Sequence, residues 1–271
     1  MSPESLPSLT TLTKGDIGRY VLLPGDPGRS QRIAERFDGP QLLKSNRQYV
    51  TYVGSLLGER VAVCSTGIGG ASTAIAVEEL IGAGADTFIR VGTSGGIQDG
   101  TRLGEVAIVT AAIRDEGASR AYLPIEFPAV ADLDVVQSLR EAAEQLGLPH
   151  RVGISHSKDS FFGEVEPARM PVSAWLLDRW KAWKMGGAIC SEMEMSTILI
   201  LSSIHRMRGG GVMLIAGNAE TDVPEGQLPG QAEEALPPDI SRAISTAIEG
   251  LKILIAKDAA RQASSGRVVT P

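Results

Sequence analysis

The residues best suited to chemistry are acids and arginines placed beside glycine turns. The stretch SEMEMS, residues 191–196, sets Glu192 and Glu194 around Met193 immediately before the apolar run TILIL. Ser191 followed three residues later by Glu194 has the form of a capping box: the serine oxygen accepts from a free first-turn amide, and the glutamate reaches back to the serine amide. That reading makes the acids structural. Whether either serves a ligand depends on the rest of the chain.

Three glycine turns, GDPGR, TGIGGAS and VGTSGG, each follow an apolar run, and Arg29 and Arg90 lie one or two steps from them. Amides freed by glycine can converge on an anion, and the first two turns also lead into a helix N-terminus. One such turn needs no more explanation than a positive φ. Three beside arginines point to an anion site. GIGGAS is a poor dinucleotide fingerprint, because Ser72 occupies the third glycine position and the nearest acid, Asp86, precedes the next strand instead of ending it. A Walker lysine is absent as well.

GTSGG also satisfies the G-x-S-x-G pattern of a serine nucleophile, with Ser94 at its centre and His150, His156 and His205 as possible bases. That motif must turn directly into a helix, whereas IQDGTRLGEV supplies turn residues and then another strand. Metal chemistry is poorly supported, since the three histidines form no i, i+4 pair and no cysteine joins them at ligand spacing.

The elements that must position these residues follow a regular rhythm. YVLLP, RVAVCST, TFIRV, EVAIVTAAI, RVGISHS and GVMLIAG read as strands, and helical patterns lie near 30–37, 72–83, 133–146, 172–183, 192–205 and 239–257. Such alternation predicts an α/β layered fold. No linker or repeat divides the chain, so residues 1–258 are expected to form one domain, with a flexible polar tail over 259–271. The acidic, proline-rich segment 220–238 reads as a disordered excursion or a lid.

The 271 residues are 43% hydrophobic but only 4% aromatic, enough for a large aliphatic core. A net charge of −6 draws the molecule to neither nucleic acid nor an anionic membrane, so an anion site must be a local basic cluster. Two cysteines, Cys64 and Cys190, lie far apart in apolar surroundings, as expected of buried reduced thiols in a cytoplasmic protein. No run approaches the ~20 apolar residues of a membrane span.

LLPGDPGR, SNRQY, CSTGIGGASTAIAVEEL, FIRVGTSGGI, EGAS with EFPAVAD, and SEMEMS together resemble the nucleoside phosphorylase-I family, most closely its uridine-cleaving members. The similarity runs over about 14–217. It implies a three-layer α/β/α sandwich around a mixed, partly barrel-like central sheet. The reaction implied is attack by inorganic phosphate, the co-substrate, on C1′ of a ribonucleoside, with no organic cofactor. By the same resemblance Gly25, Arg29, Arg90 and Thr93 cradle phosphate, and Arg47 reaches a neighbouring site within a homodimer, itself part of a homohexamer. Glu194 accepts from the ribose hydroxyls, Met193 packs on the sugar, and Glu192 is more peripheral. Phe161, Glu164 and Arg169 face the base, and Asn218, ahead of Asp222, stands where other members place an arginine or a proton-donating aspartate; its amide can stabilise a departing base but cannot supply a proton.

Three departures from the family pattern bear on substrate. Glu164 occupies a glutamine position, and an ionised carboxylate accepts but cannot donate; an edge rich in N–H groups, as in guanine, would suit it better than uracil. The N-terminal segment LPSLTTLTKGD offers Leu9 where a histidine is expected to meet the 5′ hydroxyl. Gln48 replaces an acid that some members use to hold potassium, which puts a monovalent cation in doubt. A purine nucleoside phosphorylase, a water-using nucleosidase and a nucleoside-sensing protein therefore stand as alternatives.

Overall fold

The computed structural model describes residues 8–218 and 239–265. Its centre is a mixed sheet of ten strands: β1 (Tyr20–Leu23), β2 (Asp38–Asn46), β3 (Tyr49–Leu56), β4 (Glu59–Cys64), β5 (Thr87–Gly96), β6 (Val106–Asp115), β7 (Ala129–Val130), β8 (His150–Lys158), β9 (Cys190–Glu192) and β10 (Arg208–Asn218). β5 runs parallel to β10 and antiparallel to β9; β10 pairs with β6, β6 with β8, and β8 with β9, so these five strands close a ring. From β5 the sheet continues as an open wing, β1–β4–β3–β2.

Alternation along each strand feeds two cores. In β1, all four residues are buried, Val21 and Leu23 on one face and Tyr20 and Leu22 on the other. The first face is covered by α2 (Gly70–Ala83) and α7 (Met195–Ile204), with the short α3 (Ala118–Tyr122) against them. The second is covered by α1 (Pro27–Ala34), α4 (Leu133–Gln145) and α8 (Ser241–Ser265). α7 is buried around its whole circumference over residues 195–202, hydroxyl side chains included, as befits a helix wedged inside the molecule.

The expected layers are present, with three local differences. The third glycine turn is no turn: β5 continues through Gly92, Gly95 and Gly96. α7 begins at Met195, three residues later than the pattern predicts, because 190–192 form β9. α8 continues through 259–265, where a polar tail is expected, and Arg261 pairs there with Asp134; residues 266–271 lie outside the described residues, as does all of the predicted lid over 220–238. Cys64 and Cys190 are free, and burial pushes both thiols up to about 12, which leaves them unreactive.

Candidate active site

Arg90 stands inside β5 with its side chain buried, which a guanidinium tolerates only among acids or acceptors. It folds back over Gly92, where an added Cβ would lie 2.6 Å from Met213 Sδ and 3.0 Å from Arg90 Nη2. Glycine at 92 is thus required by the arginine above it. Nη2 pairs with Glu194, and Nε lies 2.9 Å from Glu192 Oε2 at an angle that falls short of a hydrogen bond. Nη1 is buried without a hydrogen-bond partner among the described residues. Beside it, Arg29 donates from Nη1 to the carbonyl of Val91 at 3.1 Å. Burial, then the charge of Arg90, lowers the Arg29 pKa. Two crowded guanidinium groups with an unsatisfied buried donor suit a doubly charged anion.

Below them, the two acids divide their duties in the opposite sense to the capping-box reading. Glu192, expected to be peripheral, is buried and caps α7: Oε2 accepts from the amides of Glu194 at 2.8 Å and Met195 at 2.9 Å, while Oε1 accepts from Ser157. It satisfies two helix N-terminal donors and steadies Arg90 at once. Glu194 makes no capping bond. Its Oε1 accepts from the amide of Gly69 at 2.6 Å, in a turn where Gly67 and Gly69 have φ of 71° and 87°. Burial raises the Glu194 pKa, and Glu192 adds to the rise against the pull of Arg90, since two carboxylates share one guanidinium. Met193, half-buried, lines the cavity between these two acids.

A second charged cluster lies further along β9. Ser191 Oγ donates to Glu164 and accepts from Lys158 Nζ at 2.8 Å, and Lys158 Nζ stands 2.9 Å from Glu164 Oε2. His156 places Nδ1 3.1 Å from Ser191 Oγ and Nε2 3.0 Å from Asp115 Oδ2. With the serine hydrogen committed to Glu164 and Asp115 able only to accept, both ring nitrogens donate, so His156 is an imidazolium. Burial lowers its pKa, but Asp115 and Glu164 more than reverse this and the net direction is upward. Burial likewise works against ionised Glu164, yet His156, Lys158 and Ser191 hold its carboxyl below the ordinary glutamate value.

A cavity of about 820 Å³ joins the two clusters and gathers Gly25, Arg29, Arg90, Thr93, Phe161, Glu164, Glu192, Met193 and Glu194, nine of the twelve predicted site residues. Phe161, the first residue of α5 (Phe161–Val165), is half exposed and meets Phe162 edge-on. Arg169 is not brought in: Pro167 ends the approach from α5, and the guanidinium turns outward to pair with Glu166. Arg47 is exposed at the β2–β3 turn with φ of 54°, outside its own chain's cavity. Asn218 ends β10, and its side chain lies outside the description. Ser94 sits within β5 and directs Oγ to the carbonyl of Leu214, which removes the nucleophile reading.

Comparison with known proteins matches residues 19–250 to the model of the phosphorylase superfamily. The chain belongs to the phosphorylase superfamily. It is 48% identical to a uridine phosphorylase of Treponema pallidum (strain Nichols), over 92% of this chain and 95% of that one. It is 37% identical to a uridine phosphorylase of Escherichia coli (strain K12), over 90% and 96%. A guanosine phosphorylase of Halorubrum lacusprofundi is 33% identical over 89% of this chain and 96% of its own length.

For this member of the phosphorylase superfamily, the residue that sequence reasoning missed is Lys158. A lysine at a strand end reads as solvated, but residues 155–158 of β8 are all buried, and the only signal was its place in KDSFFGE beside the unexpected Glu164. Gln48 lines the cavity and donates to Ser72 at 2.7 Å. Leu9 packs against the core of its own chain, its amide bound by Glu79 and its carbonyl by Asn46. Among the described residues no group of three or more acids, histidines or cysteines has the spacing to hold a metal, and no helix is long and apolar enough to cross a membrane.

Proposed function

We propose that the protein cleaves the N-glycosidic bond of uridine with inorganic phosphate, releasing uracil and ribose 1-phosphate. The observation that carries this reading is Arg90: a buried guanidinium with a partnerless Nη1, beside Arg29 and over two carboxylates, at one end of a cavity large enough for a nucleoside. Arg90 and Arg29 hold the attacking phosphate, with Thr93 and the backbone at Gly25 around it. Glu194 receives the ribose 2′ and 3′ hydroxyls, each charge-assisted bond contributing ~1.5 to 3 kcal/mol, and Met193 packs on the sugar. Positive charge develops on the sugar as the bond to the base lengthens. A fixed carboxylate near the ring and fixed cations on the phosphate therefore favour the transition state over the ground state. Little covalent work falls to the protein; alignment of phosphate with C1′ supplies the rest.

A second copy completes the site in this reading, lending Arg47 from the β2–β3 turn. Support comes from the exposure of Arg47 and from Ile68, 76% exposed at the cavity wall although apolar. The dimer, a hexamer built from it, a cytoplasmic setting and the absence of an organic cofactor belong to the same proposal. Potassium is not part of it, because the Gln48 amide that replaces an acid is engaged with Ser72.

Guanosine is the second reading, favoured by the carboxylate at Glu164 and by the relative named guanosine phosphorylase. The deciding experiment incubates a panel of nucleosides with and without phosphate and separates free base from nucleoside by chromatography. Phosphate-dependent release of uracil is the expected result. Release without phosphate would make the protein a nucleosidase, and tight binding without release a sensor.

A further inference from the structure

The base end of the cavity holds a donor and an acceptor side by side. Lys158 Nζ has three N–H bonds; Ser191 and Glu164 Oε2 take two, and no other described residue accepts from it. On Glu164, Oε2 is crowded by Lys158, Ser191 and His156, whereas Oε1 has no partner among the described residues and lies over Gly95, 3.6 Å from where a Cβ would stand. Lys158, Glu164, Ser191 and Gly95 all line the cavity. Arg90, whose guanidinium lies over Gly92, lines the same cavity.

We infer that Lys158 and Glu164 act as one base-reading pair, Lys158 donating to a ring carbonyl and Glu164 accepting from the ring N–H next to it. The inference rests on the nucleoside phosphorolysis proposed above and identifies the substrate class of that same site. Lys158 restores the donor that is lost where a glutamine is replaced by Glu164. Uracil presents such an edge at N3–H, and hypoxanthine and guanine present one at N1–H. Cytosine N3 and adenine N1 instead direct a lone pair at the carboxylate, which a buried acceptor rejects. The pair therefore selects by edge and not by ring size. The Asp115–His156–Ser191 chain behind it keeps the carboxylate ionised and fixed.

The test measures kcat/KM for uridine and cytidine at saturating phosphate, together with KM for phosphate, in the parent, Lys158→Met and Glu164→Gln. Lys158→Met should lower kcat/KM for uridine by about 10- to 100-fold, the loss of one charge-assisted bond, with phosphate KM within about twofold. Glu164→Gln, whose amide can donate to cytosine N3, should cut the uridine-to-cytidine ratio by about tenfold or more. A merely structural pair would move phosphate KM and leave that ratio alone, and this result overturns the inference. If Lys158→Met fails to fold, the ratio in Glu164→Gln decides. If the parent releases no base with phosphate, the proposed function fails separately, and calorimetric binding of uridine against cytidine judges the pair. A preference for uridine lost in Glu164→Gln upholds it; equal binding in the parent refutes it.

Discussion

Replacing Arg90 by methionine tests the centre of the site, because this one guanidinium serves two buried carboxylates as well as the proposed phosphate. The acids will not respond alike. Glu192 retains the Ser157 hydroxyl and the amides of Glu194 and Met195. Glu194 retains only the Gly69 amide, and it takes up a proton. Breaking a buried pair by removing one partner costs about 3 to 5 kcal/mol, which corresponds to a fall of roughly 5 to 9 °C in melting temperature for a chain of this size. The loss depends on pH. The Glu194 pKa is already raised by burial and its neighbour acid, and without Arg90 it rises further. A carboxyl raised above its unfolded value becomes destabilising as pH climbs past that value, so the deficit should be larger at pH 8 than at pH 5. Turnover at saturating uridine should fall by ~10² to 10³, as when one preorganised oxyanion donor is removed. Scanning calorimetry at the two pH values and a phosphate titration check these expectations together. A variant that melts within about 2 °C of the parent at pH 8, with phosphate KM unchanged, would refute the assignment of Arg90.

The Gly92→Ala variant should weaken phosphate binding by about 10-fold, because its Cβ, 2.6 Å from buried Met213 Sδ and 3.0 Å from Arg90 Nη2, displaces the thioether and shifts the guanidinium with it; equal KM for phosphate would show that the arginine does not need this glycine. Acidity should abolish nucleoside turnover on a limb lying above the ordinary glutamate value, since Glu194 must be ionised to accept from two hydroxyls and its pKa is raised, chiefly by burial. The Glu194→Gln substitution should remove that limb from the pH profile of kcat/KM. Glu79 ties down the N-terminal segment through Ser8, Leu9 and Thr10, and Glu79→Gln should speed amide hydrogen exchange over 8–12, the lost bonds amounting to about 1 to 2 kcal/mol at a partly exposed site. Burial raises the Glu79 pKa, but these hydrogen bonds lower it below its usual value. The tether is therefore present above that usual value and lost as pH falls through the lowered one; a protection factor that is flat across that window would count against it.

Strand and helix order was legible because apolar runs and small-residue helices alternate along most of the chain. β2 and β3 were not, since β2 reads DGPQLLKSN and exposes most of its side chains, so no two-residue period survives in it. β9 has three residues, too short for any period, and it took the start of the helical pattern with it. The glycines of VGTSGG looked like a turn for a physical reason: turns and crowded strands both exclude side chains. Here the crowding comes from the Arg90 guanidinium above Gly92 and from Thr101, 2.6 Å from a Cβ at Gly96. The capping-box reading of SEMEMS gave the helix cap to Ser191 and Glu194, whereas Glu192 holds it, because the serine that would cap the helix is held in a strand by Lys158 and Glu164. Arg169 was unreadable for the converse reason: its nearest acid, Glu166, is three residues away on the same turn.

Because five strands close on themselves, the open wing ends at β2, whose outer side offers unpaired backbone to a foreign strand. The edge is poorly made for such growth. Pro40 removes a donor, Lys44 adds a charge, and the pairing with β3 slips twice, between Asp38 and Gln41 and between Leu42 and Lys44. Fibril-like templating by strand addition at this edge is thus disfavoured.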